Sequence, residues 1–116
     1  MVENSNEERV LDLLGDHTTR EILTAAYPGP VSAHVIAEHC GVAPSTVYRH
    51  VDDLRDANLL VERTKIERDG SHHSLYETNL DHVGVDLDPG GFAVSVQVSR
   101  PPPERFVRMW SDIRRT

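Results

Sequence analysis

The chain of 116 residues has one cysteine, Cys40, so no disulfide can form within it. No apolar run approaches the roughly eighteen residues that a membrane-spanning helix requires. The opening MVENSNEE has neither the basic nor the apolar region of a secretory signal, and the expected location is cytoplasmic, with no membrane partner. Glycine-rich phosphate cradles are missing, because Gly90-Gly91 reads as a turn outside any GxxxxGK(S/T) or GxGxxG setting. No serine or cysteine stands in a nucleophile motif and the carboxylates are scattered, so the reading is of a protein that is not an enzyme and needs no cofactor.

Lysine is also scarce: Lys65 stands alone among eleven arginines, and 19 acidic against 12 basic residues give a net charge of −7. The acids are spread along the whole chain instead of forming a tail. That pattern resembles proteins that stay soluble in molar salt through high negative charge, so bulk charge says little about partners and its local distribution says more. Between Arg49 and His73 lie Arg49, Arg55, Arg63, Lys65 and Arg68, interleaved with Asp52, Asp53, Asp56, Glu62, Glu67 and Asp69. Which face each side chain takes decides the sign of the surface there.

What the chain does have is concentrated between Val31 and Val61, VSAHVIAEHCGVAPSTVYRHVDDLRDANLLV. Ser32 is a natural N-cap for a helix running to about His39, since its hydroxyl can accept an unpaired N–H at that end. Cys40, Gly41 and Val42 then break the chain. Pro44 suits the first position of a second helix, having no N–H to lose, and Val47, Val51 and Leu54 fall on one face of it. Ser45, Thr46, Tyr48, Arg49 and Asp52 are left facing outward. Two short helices joined by a glycine-bearing turn, the second with an exposed polar face, make a helix-turn-helix.

After Leu59-Leu60 the period changes. VERTKIER, the turn-rich DGSHH and SLYETNL read as a two-stranded hairpin with Asp69-Gly70 at its tip, which completes a winged helix. From about Leu13 to Leu80 the chain resembles the arsenic-repressor-type winged-helix regulators, in particular the small versions common in halophilic archaea. The matching segments are LLGDHTTREIL from Leu13 to Leu23, STVYRHVDDL from Ser45 to Leu54, and DANLLVER from Asp56 to Arg63. The resemblance implies that the first segment is a helix bracing the core, the second the recognition helix, and the third the lead into the wing strands.

On this reading the partner is double-stranded DNA, with the recognition helix at 44–58 in the major groove. Arg49, one turn after Ser45, would reach a guanine edge or a phosphate, the alternative being a salt bridge with Asp52 or Asp53. Ser45 and Thr46 would meet phosphate at the helix N-terminus or simply cap it. Tyr48 offers its hydroxyl to phosphate or its ring to a thymine methyl, or else packs half-buried. His50 is expected at the edge of the core. In the wing, Arg68, Ser71, His72 and His73 surround the tip and would enter the adjacent minor groove or touch backbone, the plain alternative being a solvated loop. Arg63 and Lys65 alternate along the first wing strand and share one face.

Seven histidines and Cys40 raise the question of a metal. Arsenic-repressor relatives often sense metals through a pair of cysteines, and there is no second cysteine here. His34 and His39 lie about 140° apart around a helix, and the adjacent His72 and His73 diverge on a regular strand. No metal site is expected, and Cys40 reads as a small apolar residue at a helix end.

Beyond Leu80, Val83, Val85 and Leu87 alternate, Asp88-Pro89-Gly90-Gly91 turns, and Phe92, Val94, Val96 and Val98 alternate again. This is a second hairpin whose apolar face must be covered. Arg100-Pro101-Pro102-Pro103 makes a stiff extended link, after which Phe106, Met109, Trp110 and Ile113 have the spacing of an amphipathic helix. The fold expected is therefore α+β: a first stretch 1–6 without structure, a winged helix at 7–81, an additional hairpin at 82–99, and a link with a dimerisation helix at 100–116. Val10, Leu13 and Leu14 would join the terminal stripe in the interface of a homodimer, placing two recognition helices in successive major grooves. The alternatives are a terminal helix folded over its own hairpin, or a hairpin and helix enclosing a small apolar effector that nothing else in the sequence marks. A winged helix that binds protein instead of DNA is the second functional class.

Overall fold

The computed structural model describes residues 5–100. The amphipathic stripe Phe106, Met109, Trp110 and Ile113 lies outside the described residues. Four helices come first, α1 (Ser5–Leu14), α2 (His17–Ala25), α3 (Ala33–Cys40) and α4 (Pro44–Asp56), followed by four strands, β1 (Leu60–Ile66), β2 (His72–Thr78), β3 (Leu80–Asp88) and β4 (Gly91–Val98). Helix α1 begins inside the stretch 1–6, so Ser5 and Asn6 belong to it.

Each helix boundary has a local cause. Asp16 caps α2, its carboxylate accepting from the Thr19 N–H at 2.9 Å and the Thr19 hydroxyl at 3.1 Å. That backbone bond is the largest influence holding the Asp16 carboxyl below its usual range. Ser32 caps α3 as expected, accepting from the Val35 N–H at 3.2 Å. Gly41, at φ 69°, stops α3 in the left-handed region where a Cβ is disfavoured. Asn58 repeats that device after α4 at φ 64°: its N–H donates to the Arg55 carbonyl at 3.0 Å and the Leu59 N–H reaches the Leu54 carbonyl at 2.9 Å. Leu54 and Leu59, the apolar pair that accompanies such a stop, are both fully buried.

The core gathers one face from every helix: Val10 from α1, Ile22 from α2, Ile36 from α3, and Val47, Val51 and Leu54 from α4, closed below by Leu59, Leu60 and Tyr76. Burying each large aliphatic side chain contributes roughly 1.5–3 kcal/mol. Val10, expected at a subunit interface, is 0 % exposed inside its own chain and has no surface left for a partner. The sequence spacing placed it on an apolar stripe of α1 but could not say which side of that stripe faces inward. Leu13 and Leu14 are half-buried against the same core.

Strands β1 and β2 pair antiparallel from Leu60↔Thr78 to Ile66↔His72. Val31 adds an isolated bridge to Tyr76, with bonds of 2.9 and 2.7 Å that tie the start of the helix-turn-helix to the wing. The second hairpin begins at Leu80, earlier than 82, and pairs Val83↔Val96, Val85↔Val94 and Leu87↔Phe92. A register shift between Leu80 and His82 lets Leu80, three residues before Val83, share its face. The fold is thus α+β, a winged helix-turn-helix extended by a C-terminal hairpin.

Candidate nucleic-acid interface

The N-terminus of α4 has no side-chain cap. Its N-cap residue is Ala43, which has no side chain to cap with, and the Thr46 and Val47 N–H groups fold back onto the Ala43 carbonyl at 3.0 and 3.4 Å. Ser45 and Thr46 therefore do not cap the helix. Ser45, Tyr48, Arg49 and Asp52 are exposed and Thr46 is partly so, while Val47, Val51 and Leu54 beneath them are fixed in the core. Tyr48 is 47 % exposed, so about half of its surface is open to a partner.

Arg49 is not paired with Asp52 or Asp53. Its guanidinium lies 3.5 Å from the Thr46 hydroxyl, along the helix toward the N-terminus. Asp53 and Asp56 are instead approached by Arg9 of α1, at 3.6 and 3.9 Å. His50 is half-buried as expected, with its Nδ1–H donating to the Thr46 carbonyl at 2.8 Å and Nε2 3.2 Å from Asp16. With Nδ1 committed as a donor, Nε2 can donate to that carboxylate only when the ring is an imidazolium. The contact joins the front of α4 to the cap of α2.

Cations farther along are matched by acids. Arg55 meets Glu62 at 3.0 Å, Arg63 meets Glu77 across the hairpin at 2.9 Å, and Lys65 meets Glu67 at 3.6 Å. Arg63 and Lys65 do share a face, together with His73, which lies opposite Lys65 in the register. His72 and His73 stand in β2 itself, not in the tip, and alternate to opposite faces. The tip is Arg68 to Ser71. There the Asp69 carboxylate accepts from the Ser71 hydroxyl at 2.7 Å and the Ser71 N–H at 2.9 Å, bonds that hold it below the usual carboxylate range. Ser71 is thus occupied by the turn, and Gly70 turns it at φ 88°. Among the described residues, Arg20, Arg49 and Arg68 have no carboxylate within ion-pair distance; Arg20 donates to the Leu14 carbonyl at 2.8 Å, and the other two guanidiniums stand at the front of α4 and the tip of the wing.

Cys40 is half-buried, and burial followed by the nearby Glu21 carboxylate raises its thiol above the ordinary value. Among the described residues no group of three histidine, cysteine or acidic side chains converges in a way that could hold a metal. No described helix is long and apolar enough to cross a membrane.

Sequence reasoning missed Asn79. It is 1 % exposed, its Nδ2 donates to the Asn58 carbonyl at 3.0 Å and the Arg100 carbonyl at 3.2 Å, and its Oδ1 accepts from the Arg100 N–H at 2.9 Å. One side chain fixes the wing, the end of α4 and the second hairpin to each other. An asparagine between two apolar strand segments was the only available signal.

Comparison with known proteins agrees with this geometry. The family model described as a helix-turn-helix domain matches residues 10–63, from α1 into the first wing strand. No curated protein matches the chain. Among solved structures, NolR from Sinorhizobium fredii is similar with a TM-score of 0.54 and 21 % identity, covering 66 % of this chain and 71 % of that one. At that identity the likeness is one of fold, and what it shows is that this chain is built as a winged helix-turn-helix.

Proposed function

We propose that this protein is a transcription regulator that binds double-stranded DNA as a homodimer, with the front of α4 in the major groove and the wing tip on the neighbouring backbone or minor groove. The observation that carries the reading is the pattern of compensation. Arg55, Arg63 and Lys65 have acid partners within the subunit, while among the described residues Arg49 and Arg68 have none, and both stand where a winged helix would meet a duplex. The N-terminus of α4, which has no side-chain cap, adds the Ser45 N–H and the positive end of a helix dipole beside Ser45 and Thr46. Arg49 reads a guanine edge or a phosphate, and Tyr48 contacts phosphate or a thymine methyl. Arg68 meets phosphate from the wing, with His73 and Lys65 on the face behind it. Arg63, held by Glu77, contributes least.

A net charge of −7 and a composition suited to molar salt mean that phosphate attraction alone supplies little affinity there, so base-edge and shape contacts carry more of it. The test is selection of bound fragments from a random DNA pool by the purified protein in molar potassium chloride. An inverted repeat with half-sites about one helical turn apart is expected. No enrichment from a folded dimer would instead favour a winged helix that holds a protein partner.

A further inference from the structure

The second hairpin is a blade with one apolar face, and among the described residues only its base is covered. Near the body, α1 packs against β4, and Val83 and Val96 lie against the core. Toward the tip the same face is open: Val85 is 48 % exposed and Leu87 and Phe92 are each 70 % exposed, with Leu87 and Phe92 directly opposite each other. Large apolar side chains clustered and exposed in this way mark a contact surface. The strip continues into a groove of about 680 Å³ lined by Leu14, Leu23, Tyr27, Leu80 and Val83.

We infer that the open end of this blade is the seat for the terminal segment, residues 104–116, of the partner subunit, an inference that rests on the homodimer proposed above. The segment carries the complementary stripe Phe106, Met109, Trp110 and Ile113. Charges match as well. The hairpin from Leu80 to Val98 holds Asp81, Asp86 and Asp88 and no lysine or arginine, whereas residues 101–116 hold four arginines against Glu104 and Asp112.

Reach decides between a chain's own segment and its partner's. The chain leaves the blade at the end opposite the tip, where Arg100 is held by the Asn79 side chain and its guanidinium lies 3.6 Å from Glu77 of the wing. Phe92 is eight strand residues away, about 26 Å. Residues that precede a proline favour extended backbone, so a stretch of three prolines in polyproline form would span about 9 Å. Even if the chain reversed at once, a helix from 104 would add about 14 Å by Ile113. Only the last residue of the stripe would then approach Phe92, while Phe106 would lie over the base already covered by α1. A partner's segment has no such limit, and a two-fold pair would form the contact twice.

The experiment uses the full chain without DNA, so it is independent of operator binding. Trp110 is the only tryptophan, and its fluorescence reports its surroundings directly. Wild type and Phe92→Asp are compared by sedimentation equilibrium and by Trp110 emission, with circular dichroism to show that the variant, altered at an exposed site, remains folded. The expected result is a dimer with blue-shifted emission for the wild type, and for the variant a dimer dissociation constant raised by about 10- to 100-fold with emission shifted to the red. A red shift with no change in mass would place the segment on its own subunit and overturn the inference. No change in either readout would show that something else, such as a small apolar ligand, covers the blade, and would overturn it equally.

Discussion

Replacing Asn79 should weaken this fold more than its size suggests. Its amide makes three hydrogen bonds, at 2.9, 3.0 and 3.2 Å, from a position 1 % exposed. Each is worth about 0.5–1.5 kcal/mol net, and a buried partner left unpaired costs about 1–3 kcal/mol more. Arg100 is exposed, so water can replace part of what its peptide group loses, whereas the Asn58 carbonyl sits behind the Schellman stop of α4 and is less accessible. We therefore expect Asn79→Ala to cost about 2–3 kcal/mol. In a domain whose total stability is about 5–15 kcal/mol, that corresponds to a fall in Tm of very roughly 10–20 °C. Urea denaturation followed by circular dichroism measures it. Asn79→Asp is the sharper variant. It keeps the oxygen that accepts from Arg100 but turns the donor facing two carbonyls into a carboxylate oxygen, so it should cost at least as much as alanine. A loss below about 0.5 kcal/mol in both variants would refute the claim that this side chain joins the wing, α4 and the second hairpin.

Other expectations follow from single features. The Asp16 and Asp69 carboxyls are both held below their ordinary value of 3.8 by bonds made in the folded state. Their contribution is therefore complete above that value and is lost as pH falls through the lower folded value, so acid titration should loosen the cap of α2 and the wing tip while leaving neutral-pH stability flat. Amide exchange of Thr19 and Ser71 would report the loss, and unchanged protection at pH 2 to 3 would count against it. Cys40, with its thiol raised by burial, should react with iodoacetamide at pH 7 more slowly than free cysteine; reaction at the free rate would contradict the packing described. In the wing, Arg68→Ala should weaken DNA binding several-fold and reduce its salt dependence by about one ion, while Arg63→Ala, which breaks a pair with Glu77, should change affinity less. The reverse order would show that the free-cation argument is wrong.

The helix-turn-helix was legible because local chemistry and periodicity agree there. Ser32 caps, Gly41 stops, Pro44 starts, and Val47, Val51 and Leu54 share a face, each visible within four residues of its effect. The hairpins were legible from alternation and turn residues, though their ends moved by two residues where pairing continued past the turn signals at His72 and Leu80. What escaped depends on contacts between residues far apart in sequence. Asp16 meets His50 from 34 positions away, Arg9 reaches Asp53 from 44, and Asn79 holds Arg100 from 21. The inward turn of Val10 likewise follows from how α1 lies on β4, which spacing alone does not specify. At the surface proposed to meet DNA the sequence could name the cations but not which were already neutralised. That distinction, which separates Arg49 and Arg68 from Arg55, Arg63 and Lys65, exists only in three dimensions.

The central claim is that the front of α4 reads DNA, and its most direct test is the affinity of wild type and Arg49→Ala for the sequence enriched by selection, measured by fluorescence anisotropy at fixed salt. Arg49 is exposed and supports no core residue, so the variant should fold and dimerise as the wild type does. Loss of a bidentate contact to guanine predicts binding weaker by about 1–3 kcal/mol, roughly 5- to 150-fold, with discrimination relaxed at one base pair. Equal affinity and equal discrimination from a folded dimer would contradict the account.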